Sequence, residues 1–424
     1  MSHQGVGPDL LPDSARIDSG RLSIGGCDVE MLAHEYGTPL FIYDEEHLRA
    51  RCAEAVNAFG PNVAYASKAF LCIAMAKLVH EEGMAIDVST GGEMYVALAA
   101  GVPAERLVFH GNNKSSQELE MALEAGIGRI VMDSWDEIRR IEALIGDGYD
   151  PPPVLLRVNP GIEAHTHEYL QTGVTDSKFG FPIAGSEAQR AIDHVRESPA
   201  MEYKGVHVHV GSQVFDVTSF ARAIETLAPF VKESEAAEFS VGGGLGVAYV
   251  HGEHSDSIAQ WAAAVTEAVR LAGIDADITA EPGRSIVATA AVTAYTVGTV
   301  KEIPGVRTYV AVDGGMSDNP RPVLYGSGYE AFRAVDADAP RTRQAHIVGK
   351  HCESGDIIVR DAAIPASLAV GDVLCTPVTG AYGHSMGSSY NKVLRPAVVF
   401  VSNGTTRLVI ERETYKDLIA RDMR

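Results

Sequence analysis

Short apolar runs alternate with amphipathic helix patterns from Val63 to Ala280, and this rhythm limits the folds that the chain can adopt. Runs of about five residues separated by helices are typical of βαβ units and of a parallel sheet. Eight such runs predict a (β/α)8 TIM barrel, and a doubly wound open sheet is the structural alternative. The predicted strands are residues 63–66, 85–88, 107–110, 129–132, 154–158, 205–210, 238–241 and 277–280.

The pattern changes after Arg284, where short β-type runs are separated by turn residues such as Pro304-Gly305 and Asn403-Gly404. This pattern of short strands and turns predicts a C-terminal β-domain. Two early strand-like pieces, residues 21–24 and 39–43, are expected to join it. We therefore predict a flexible leader at 1–20, a barrel at 44–290, and a β-domain built from 21–43 and 291–424. The expected later strands are 292–300, 306–312, 343–348, 357–360, 372–376, 397–401 and 406–410.

The composition excludes several classes of function. A formal net charge of -21 among 424 residues argues against nucleic acid and anionic membranes as partners, because both require a basic surface. The five cysteines are too scattered for a disulfide framework, and no CxxC pair or His/Cys cluster suggests a metal such as zinc. No signal peptide and no apolar run of about 18 residues is present. The chain is expected to be cytoplasmic and to act on small molecules.

Lys68 follows the first predicted strand. Burying a lysine side chain at the end of a strand costs free energy if the amine does nothing but pack against its neighbours. Desolvation also lowers the pKa of an amine. A lowered pKa suits a lysine that reacts with a carbonyl group. Taken alone, the residue is better explained as a lysine that simply reaches solvent at a strand end, and only the rest of the chain reverses this preference.

Further polar residues occur at the ends of other predicted strands, where a barrel carries its active site. A glycine triplet after the seventh strand and Gly283-Arg284 after the eighth predict a phosphate site, because glycine lets a phosphate approach the backbone closely. A tight turn would also explain the triplet. The strand-end segments are Asp87-Val88-Ser89, His110-Gly111-Asn112, His209-Val210-Gly211-Ser212, Gly242-Gly243-Gly244 and Glu281-Pro282-Gly283-Arg284.

His209 and Glu281 complete the candidate site. His207 and His209 stand two residues apart on one predicted strand, and a core histidine is the default interpretation. His209 is nearer the strand end and could stack on a flat ring. Glu281 ends a buried strand and needs a partner, for which a protonated pyridine nitrogen is suitable. The lysine, histidine, phosphate loops and carboxylate correspond to the aldehyde, ring face, phosphate and ring nitrogen of pyridoxal 5'-phosphate.

These motifs continue in order to the C-terminus. With them, the chain resembles the fold-type III pyridoxal-phosphate decarboxylases, the group of alanine racemase and eukaryotic ornithine decarboxylase, and within it the diaminopimelate decarboxylases. The motifs that carry the resemblance are Tyr65-Ala66-Ser67-Lys68, Phe109-His110-Gly111-Asn112-Asn113-Lys114, Ser177-Lys178-Phe179-Gly180, His209-Val210-Gly211-Ser212-Gln213, Gly242-Gly243-Gly244-Leu245-Gly246, Glu281-Pro282-Gly283-Arg284, Asp313-Gly314-Gly315-Met316, Arg321-Pro322, Leu324-Tyr325, Cys352-Glu353-Ser354-Gly355-Asp356, Gly380-Ala381-Tyr382, Ser385-Met386 and Tyr390-Asn391.

The resemblance implies an alanine racemase-like fold and decarboxylation of meso-2,6-diaminopimelate to L-lysine and CO2, the last step of lysine biosynthesis. Lys68 would bind the cofactor covalently, His209 would stack on its ring, and Cys352 would supply a proton; these three would be catalytic. The implied cofactor-binding residues are Lys68, Asp87, His209, Ser212, Gly243, Gly244, Glu281, Gly283, Arg284 and Tyr382. The implied substrate-binding residues are Arg284, Arg321, Tyr325, Glu353 and Tyr382.

The resemblance also implies an obligate homodimer, because Cys352 and Glu353 would come from the partner subunit; without it, their segment is an ordinary loop. Three alternative functions are open. An amino-acid racemase of this fold would place an arginine where Glu281 stands. A decarboxylase of ornithine, lysine or a carrier-bound glutamyl group would not need the arginines Arg284 and Arg321 for a distal carboxylate. A non-catalytic homologue should have lost Lys68 or Cys352.

Overall fold

The structure is a computed structural model that describes residues 7–161 and 177–423, so residues 1–6 of the predicted leader lie outside the described residues. The chain divides into two compact units. The barrel unit falls within Arg51–Val247 and Ser255–Ser285. The β unit falls within Met1–Ala50, Ala248–His254 and Ile286–Arg424. The predicted barrel, 44–290, extends beyond the barrel unit at both ends and includes residues 248–254, which fall in the β unit.

Eight parallel strands of the described chain are paired in sequence order and form the barrel. The ring is closed by backbone hydrogen bonds, since Ala64 N–H donates to the Ala280 carbonyl at 3.0 Å and Ala66 N–H to that of Pro282 at 3.1 Å. The predicted TIM barrel is therefore confirmed, and the open sheet is excluded. The strands are β1 (Ala64–Ala66), β2 (Ala85–Val88), β3 (Leu107–Phe109), β4 (Arg129–Met132), β5 (Pro153–Asn159), β6 (Glu202–His207), β7 (Glu238–Ser240) and β8 (Asp277–Thr279).

Serine caps start several helices between these strands. A capping box starts one of them, because the Ser115 hydroxyl accepts from the Glu118 amide while the Glu118 carboxylate accepts from the amide of Ser115. Ser257 forms the same kind of box with Gln260, whereas the Ser134 hydroxyl only accepts from the Glu137 amide. None of the described helices is long and apolar enough to cross a bilayer. The helices from the start of the barrel are Glu45–Phe59, Ile73–Glu81, Gly91–Ala99, Ser116–Ala125, Trp135–Gly146, Glu187–Glu197, Thr218–Glu233, Ile258–Ala272 and Arg284–Val287.

The β unit is organised around the long strand Ala291–Ile303, which pairs antiparallel with Leu40–Asp44. This pairing joins segments from before and after the barrel in one sheet, as the sequence predicts. Apolar side chains of both segments, such as Ile42 and Val292, are fully buried in its core. The other strands of this sheet are Arg307–Val312, Phe332–Arg333, Arg343–Val348, Ile357–Ile364, Val373–Pro377, Ala397–Ser402 and Thr405–Ile410; short helices are Val29–Tyr36 and Arg321–Tyr325.

The N-terminal segment differs from the loose leader that the sequence predicts. Leu10 is only 2% exposed. Strand Arg16–Asp18 pairs with Arg21–Ile24, which pairs in turn with Cys27–Asp28. Apolar burial and strand pairing therefore hold residues 8–18 against the rest of the β unit, a role that their polar composition hides.

Candidate active site

Lys68 lies in a single 3-10 turn, Ser67–Ala69, directly after β1. Its side chain is exposed in this chain, so the expectation that its amine is desolvated is wrong. Burial raises the pKa of Asp87 and Glu93, and the positive charge of Lys68 opposes that rise in both carboxyls. The lysine therefore acts electrostatically on Asp87 in the neighbouring strand β2 and on Glu93 in the helix that follows it.

Glu281, just after β8, is a buried carboxylate that contacts three polar side chains. It is 6% exposed, and its Oε1 accepts from the Ser240 hydroxyl at 2.8 Å. Its Oε2 lies 2.9 Å from Nε2 of His207, within hydrogen-bond distance. Burial would raise the pKa of Glu281, but His110 and His207 outweigh it and hold that pKa well below its usual range. Glu281 is therefore an ionised carboxylate inside the barrel.

Asp87 and His110 form a second buried pair beside Glu281. His110 Nε2 lies 3.3 Å from Glu281 Oε1 and 3.8 Å from Asp87 Oδ1. Burial lowers the pKa of His110, but the two carboxylates outweigh burial and raise it. Burial raises the pKa of Asp87 to about 6. In the described part of the chain, Asp87 Oδ1 has no hydrogen-bond partner, so this buried acceptor can take a donor from a ligand.

The two histidines of the sixth strand segment have different contacts. His207 is the core histidine: it is 1% exposed, contacts Glu281, and burial lowers its pKa to about 4. Burial and then the charge of Lys68 hold the pKa of His209 well below its usual range. His209 is thus a neutral imidazole, and its Nδ1 accepts from the Gly243 amide at 3.3 Å.

The glycine loop after β7 packs against neighbouring backbone. A Cβ at Gly243 would lie 2.4 Å from the Glu281 carbonyl oxygen, and one at Gly244, where φ is +118°, would lie 2.3 Å from that of Gly211. A Cβ at Gly283 would meet the Ala66 side chain at 2.9 Å. Close packing thus requires glycine at these positions whether or not a phosphate binds. The tight-turn interpretation is therefore supported, and it is compatible with a phosphate site.

Arg284 and Ser212 supply polar groups to the same end of the barrel. Arg284 is 5% exposed, and its Nη2 donates to the Ser212 hydroxyl at 3.1 Å. A buried guanidinium next to a hydroxyl and glycine amides is a suitable donor set for a phosphate. This arrangement brings together two residues that the sequence placed on different loops.

Sequence reasoning missed the residues that support Glu281. It treated the partner of Glu281 as a cofactor nitrogen, whereas the structure gives this carboxylate His207, Ser240 and His110. The potential ligand atoms of His110, His207 and Glu281 lie within 4.8 Å of one another, a spacing that could also hold a metal ion, although Glu281 is already hydrogen-bonded. Arg157, also missed, lies over the Phe179 ring at 4.3 Å. The position of His110 and His207 at strand ends was the available signal.

Arg321 lies in the β unit among aromatic rings. It is 3% exposed; its Nε donates to the Tyr329 hydroxyl and its Nη2 to that of Ser327, both at 3.0 Å. Its Cζ lies 4.7 Å from the ring centroid of Tyr249, 5.7 Å from that of Tyr325 and 5.8 Å from that of Tyr382. Among the described residues, Arg321 forms no ion pair with a carboxylate. Its charge is thus available for an anionic ligand.

Cys352 and Glu353 lie on an exposed loop of the β unit. Asp356 holds the base of this loop, because its carboxylate accepts from the amides of Met316 at 2.7 Å and His351 at 2.9 Å. Glu353 accepts a hydrogen bond from the Tyr390 hydroxyl. Both candidate residues are therefore presented at the surface of the chain rather than buried in its core.

The barrel residues fit pyridoxal phosphate. The orphaned acceptor of Asp87 and the remaining lone pairs of Glu281 can accept from a protonated ring nitrogen. The neutral imidazole of His209 offers a flat apolar face. Lys68 offers an amine directly after β1, which lies between β2 with Asp87 and β8 with Glu281. Ser212 and Arg284 offer phosphate donors.

Comparisons with known proteins agree with this geometry. A family model described as the pyridoxal binding domain of pyridoxal-dependent decarboxylases matches residues 45–288. Diaminopimelate decarboxylase of Bacillus subtilis is 46% identical over 97% of each chain, and that of Mycobacterium bovis is 44% identical over 99% of each. The crystal structure of diaminopimelate decarboxylase from M. jannaschii in co-complex with L-lysine is 33% identical, with a TM-score of 0.90, and the match covers 97% of this chain and 98% of that one.

Proposed function

Because this chain belongs to the diaminopimelate decarboxylase family of pyridoxal-dependent decarboxylases, we propose that it converts meso-2,6-diaminopimelate to L-lysine and CO2. The observation that carries the proposal is the ionised carboxylate of Glu281 inside the barrel. A carboxylate there keeps a pyridine nitrogen protonated, which favours loss of CO2, whereas the racemase alternative needs an arginine. Pyridoxal 5'-phosphate, when bound, supplies the electron sink that makes the carbon–carboxylate bond breakable.

The barrel residues would bind and orient this cofactor. Lys68 would hold it covalently, and His209 would cover one ring face. Glu281 would keep the ring nitrogen protonated, with Asp87 as a second acceptor. The phosphate would be held by Ser212, Gly243, Gly244, Gly283 and Arg284, and Tyr382 is a further proposed cofactor-binding residue.

The charged residues around the substrate would decide which amino acid is accepted. A distal carboxylate and a distal ammonium each need a partner once they leave water, and an unpaired one is heavily penalised. Arg321 and Arg284 would pair with the carboxylate, and Glu353 with the ammonium. Tyr325 and Tyr382 would form the walls beside them. Ornithine and lysine lack the distal carboxylate and would leave arginine charge unpaired.

Cys352 would supply the proton that replaces the lost carboxylate. When the bond to CO2 breaks, its electron pair stays on the former α-carbon; the Cys352 thiol gives its proton to that carbon, and the resulting thiolate is reprotonated from solvent. The loop is exposed in the single chain, which suits delivery of Cys352 and Glu353 to the active site of a partner subunit. We therefore propose a homodimer with shared active sites, acting in the cytoplasm without nucleic acid.

The reaction type can be tested by incubating the cofactor-supplied enzyme with meso-diaminopimelate in deuterated water. Decarboxylation predicts stoichiometric CO2 and L-lysine with one deuterium at the carbon that lost its carboxylate. A racemase would instead produce other diaminopimelate stereoisomers without CO2, and that result would refute the proposed function.

A further inference from the structure

The segment Tyr390–Lys392 contacts the loop that carries Cys352 and Glu353, and the proposed chemistry gives this segment no role. Asn391 Oδ1 accepts from the Cys352 backbone amide at 3.2 Å and lies 3.3 Å from Nδ1 of His351. The neighbouring Tyr390 hydroxyl donates to the Glu353 carboxylate. Two adjacent side chains thus hold the two adjacent functional residues.

The hydrogen-bonding chemistry fixes which atoms face each other. A backbone N–H can only donate, so the amide oxygen of Asn391, not its NH2 group, must face Cys352. The same oxygen can only accept, so Nδ1 of His351 must carry a proton. In neutral His351 its Nε2 is then an acceptor, and the Ser317 hydroxyl lies 2.9 Å away to donate to it. His351, 7% exposed, is therefore held at both ring nitrogens.

The backbone also favours asparagine at this position. Asn391 has φ of 50° and lies in the left-handed region, which asparagine tolerates better than most residues other than glycine. The Tyr390 ring packs on the His351 ring with centroids 5.6 Å apart. One short segment therefore combines an unusual backbone conformation with two contacts to the functional loop.

We propose that Asn391 and Tyr390 are positioning residues that act on different steps of the reaction. This inference rests on the proposed function. Asn391 fixes the backbone from which the proton-donating Cys352 projects, so it controls kcat. Tyr390 orients Glu353 toward the distal ammonium of the substrate, so it controls KM. The two neighbouring residues thereby separate proton delivery from substrate recognition.

The test compares Asn391→Gly, Asn391→Asp and Tyr390→Phe in the cofactor-loaded dimer. Asn391→Gly keeps the left-handed backbone but removes the acceptor, and misplacing a catalytic group should lower kcat about tenfold. Asn391→Asp keeps an acceptor oxygen and should restore most of kcat. Tyr390→Phe should raise KM several-fold with little change in kcat. In a Cys352→Ala background, Asn391→Gly should cost little more, because its effect passes through Cys352.

Hydrogen exchange of the Cys352 amide gives a readout that does not depend on turnover. Loss of its acceptor should speed exchange roughly fivefold in Asn391→Gly and leave it near the unmodified rate in Asn391→Asp. Unchanged exchange in Asn391→Gly, or faster exchange without loss of kcat, would overturn the inference. An unmodified protein that releases no CO2 would refute the proposed function instead, and the exchange rates would still decide whether Asn391 fixes the loop.

Discussion

Replacing Arg321 by methionine should remove recognition of the distal carboxylate while keeping most of the volume of the side chain. The guanidinium is 3% exposed and donates to the hydroxyls of Tyr329 and Ser327, both at 3.0 Å. The substitution removes one donor from the buried Tyr329 hydroxyl, which costs about 1–3 kcal/mol of the free energy of unfolding. The protein should therefore fold with reduced stability.

The loss of activity should be much larger. Removing one partner of a desolvated ion pair costs about 3–5 kcal/mol. Since each tenfold change in rate corresponds to about 1.4 kcal/mol, kcat/KM for diaminopimelate should fall by roughly two to four powers of ten. Residual activity on lysine, which lacks the distal carboxylate, should hardly change. Inhibition by the product L-lysine should weaken, because its intact amino-acid group would meet the same arginine.

Arg341→Met is a matched control in the same unit. Arg341 is also buried, at 7% exposure, and its nearest described carboxylate oxygen, on Glu330, is 3.9 Å from its Nη1. It has no place in the proposed site, so Arg341→Met should destabilise the protein without a comparable loss of kcat/KM. Steady-state assays measure kcat/KM of both variants, and urea unfolding measures their free energies of unfolding. Equal kcat/KM losses in the two variants would show that Arg321 acts only through stability.

Three further predictions concern the cofactor, the assembly and pH. Lys68→Ala should abolish the visible absorption of the bound cofactor; an unchanged spectrum of the purified variant would exclude the covalent role of Lys68. Mixing the inactive Lys68→Ala protein with the strongly impaired Cys352→Ala protein should restore activity above that of either alone, because a mixed dimer has one intact site. No recovery after verified subunit exchange would contradict shared sites. Burial, with Arg395 nearby, lowers the pKa of His384 to about 4. The unfolded state therefore binds the extra proton first, and the free energy of unfolding should fall as pH drops from about 6.5 to about 4. His384→Gln should flatten this decline in urea titrations, and an equally steep decline in the variant would show that His384 does not cause it.

The barrel could be predicted because its strands are buried on both faces and therefore form continuous apolar runs. Two predicted strands, 85–88 and 129–132, have the observed bounds, and the others differ by a few residues at their ends. The prediction failed where burial depends on distant partners. Residues 8–18 look like a polar leader, yet Leu10 packs into the β unit and Arg16–Asp18 joins a small sheet.

The candidate site was predictable in its residue types but not in its electrostatics. Strand ends identified Lys68, His209 and Glu281, since the carboxyl ends of parallel strands share one rim. The sequence could not show that Lys68 is exposed or that His207 and Ser240 contact Glu281, because these depend on side-chain directions across several strands. The catalytic and binding roles of the candidate site residues stay predictions.

The most direct test of the account is to measure CO2 release from meso-diaminopimelate, ornithine and L-lysine, each offered separately to the unmodified, cofactor-supplied enzyme. The charges of Arg321, Arg284 and Glu353 predict a kcat/KM for diaminopimelate several powers of ten above those for the other two, as for sites built around paired polar groups. Ornithine or lysine turned over as efficiently as diaminopimelate, or no CO2 from diaminopimelate, would contradict it.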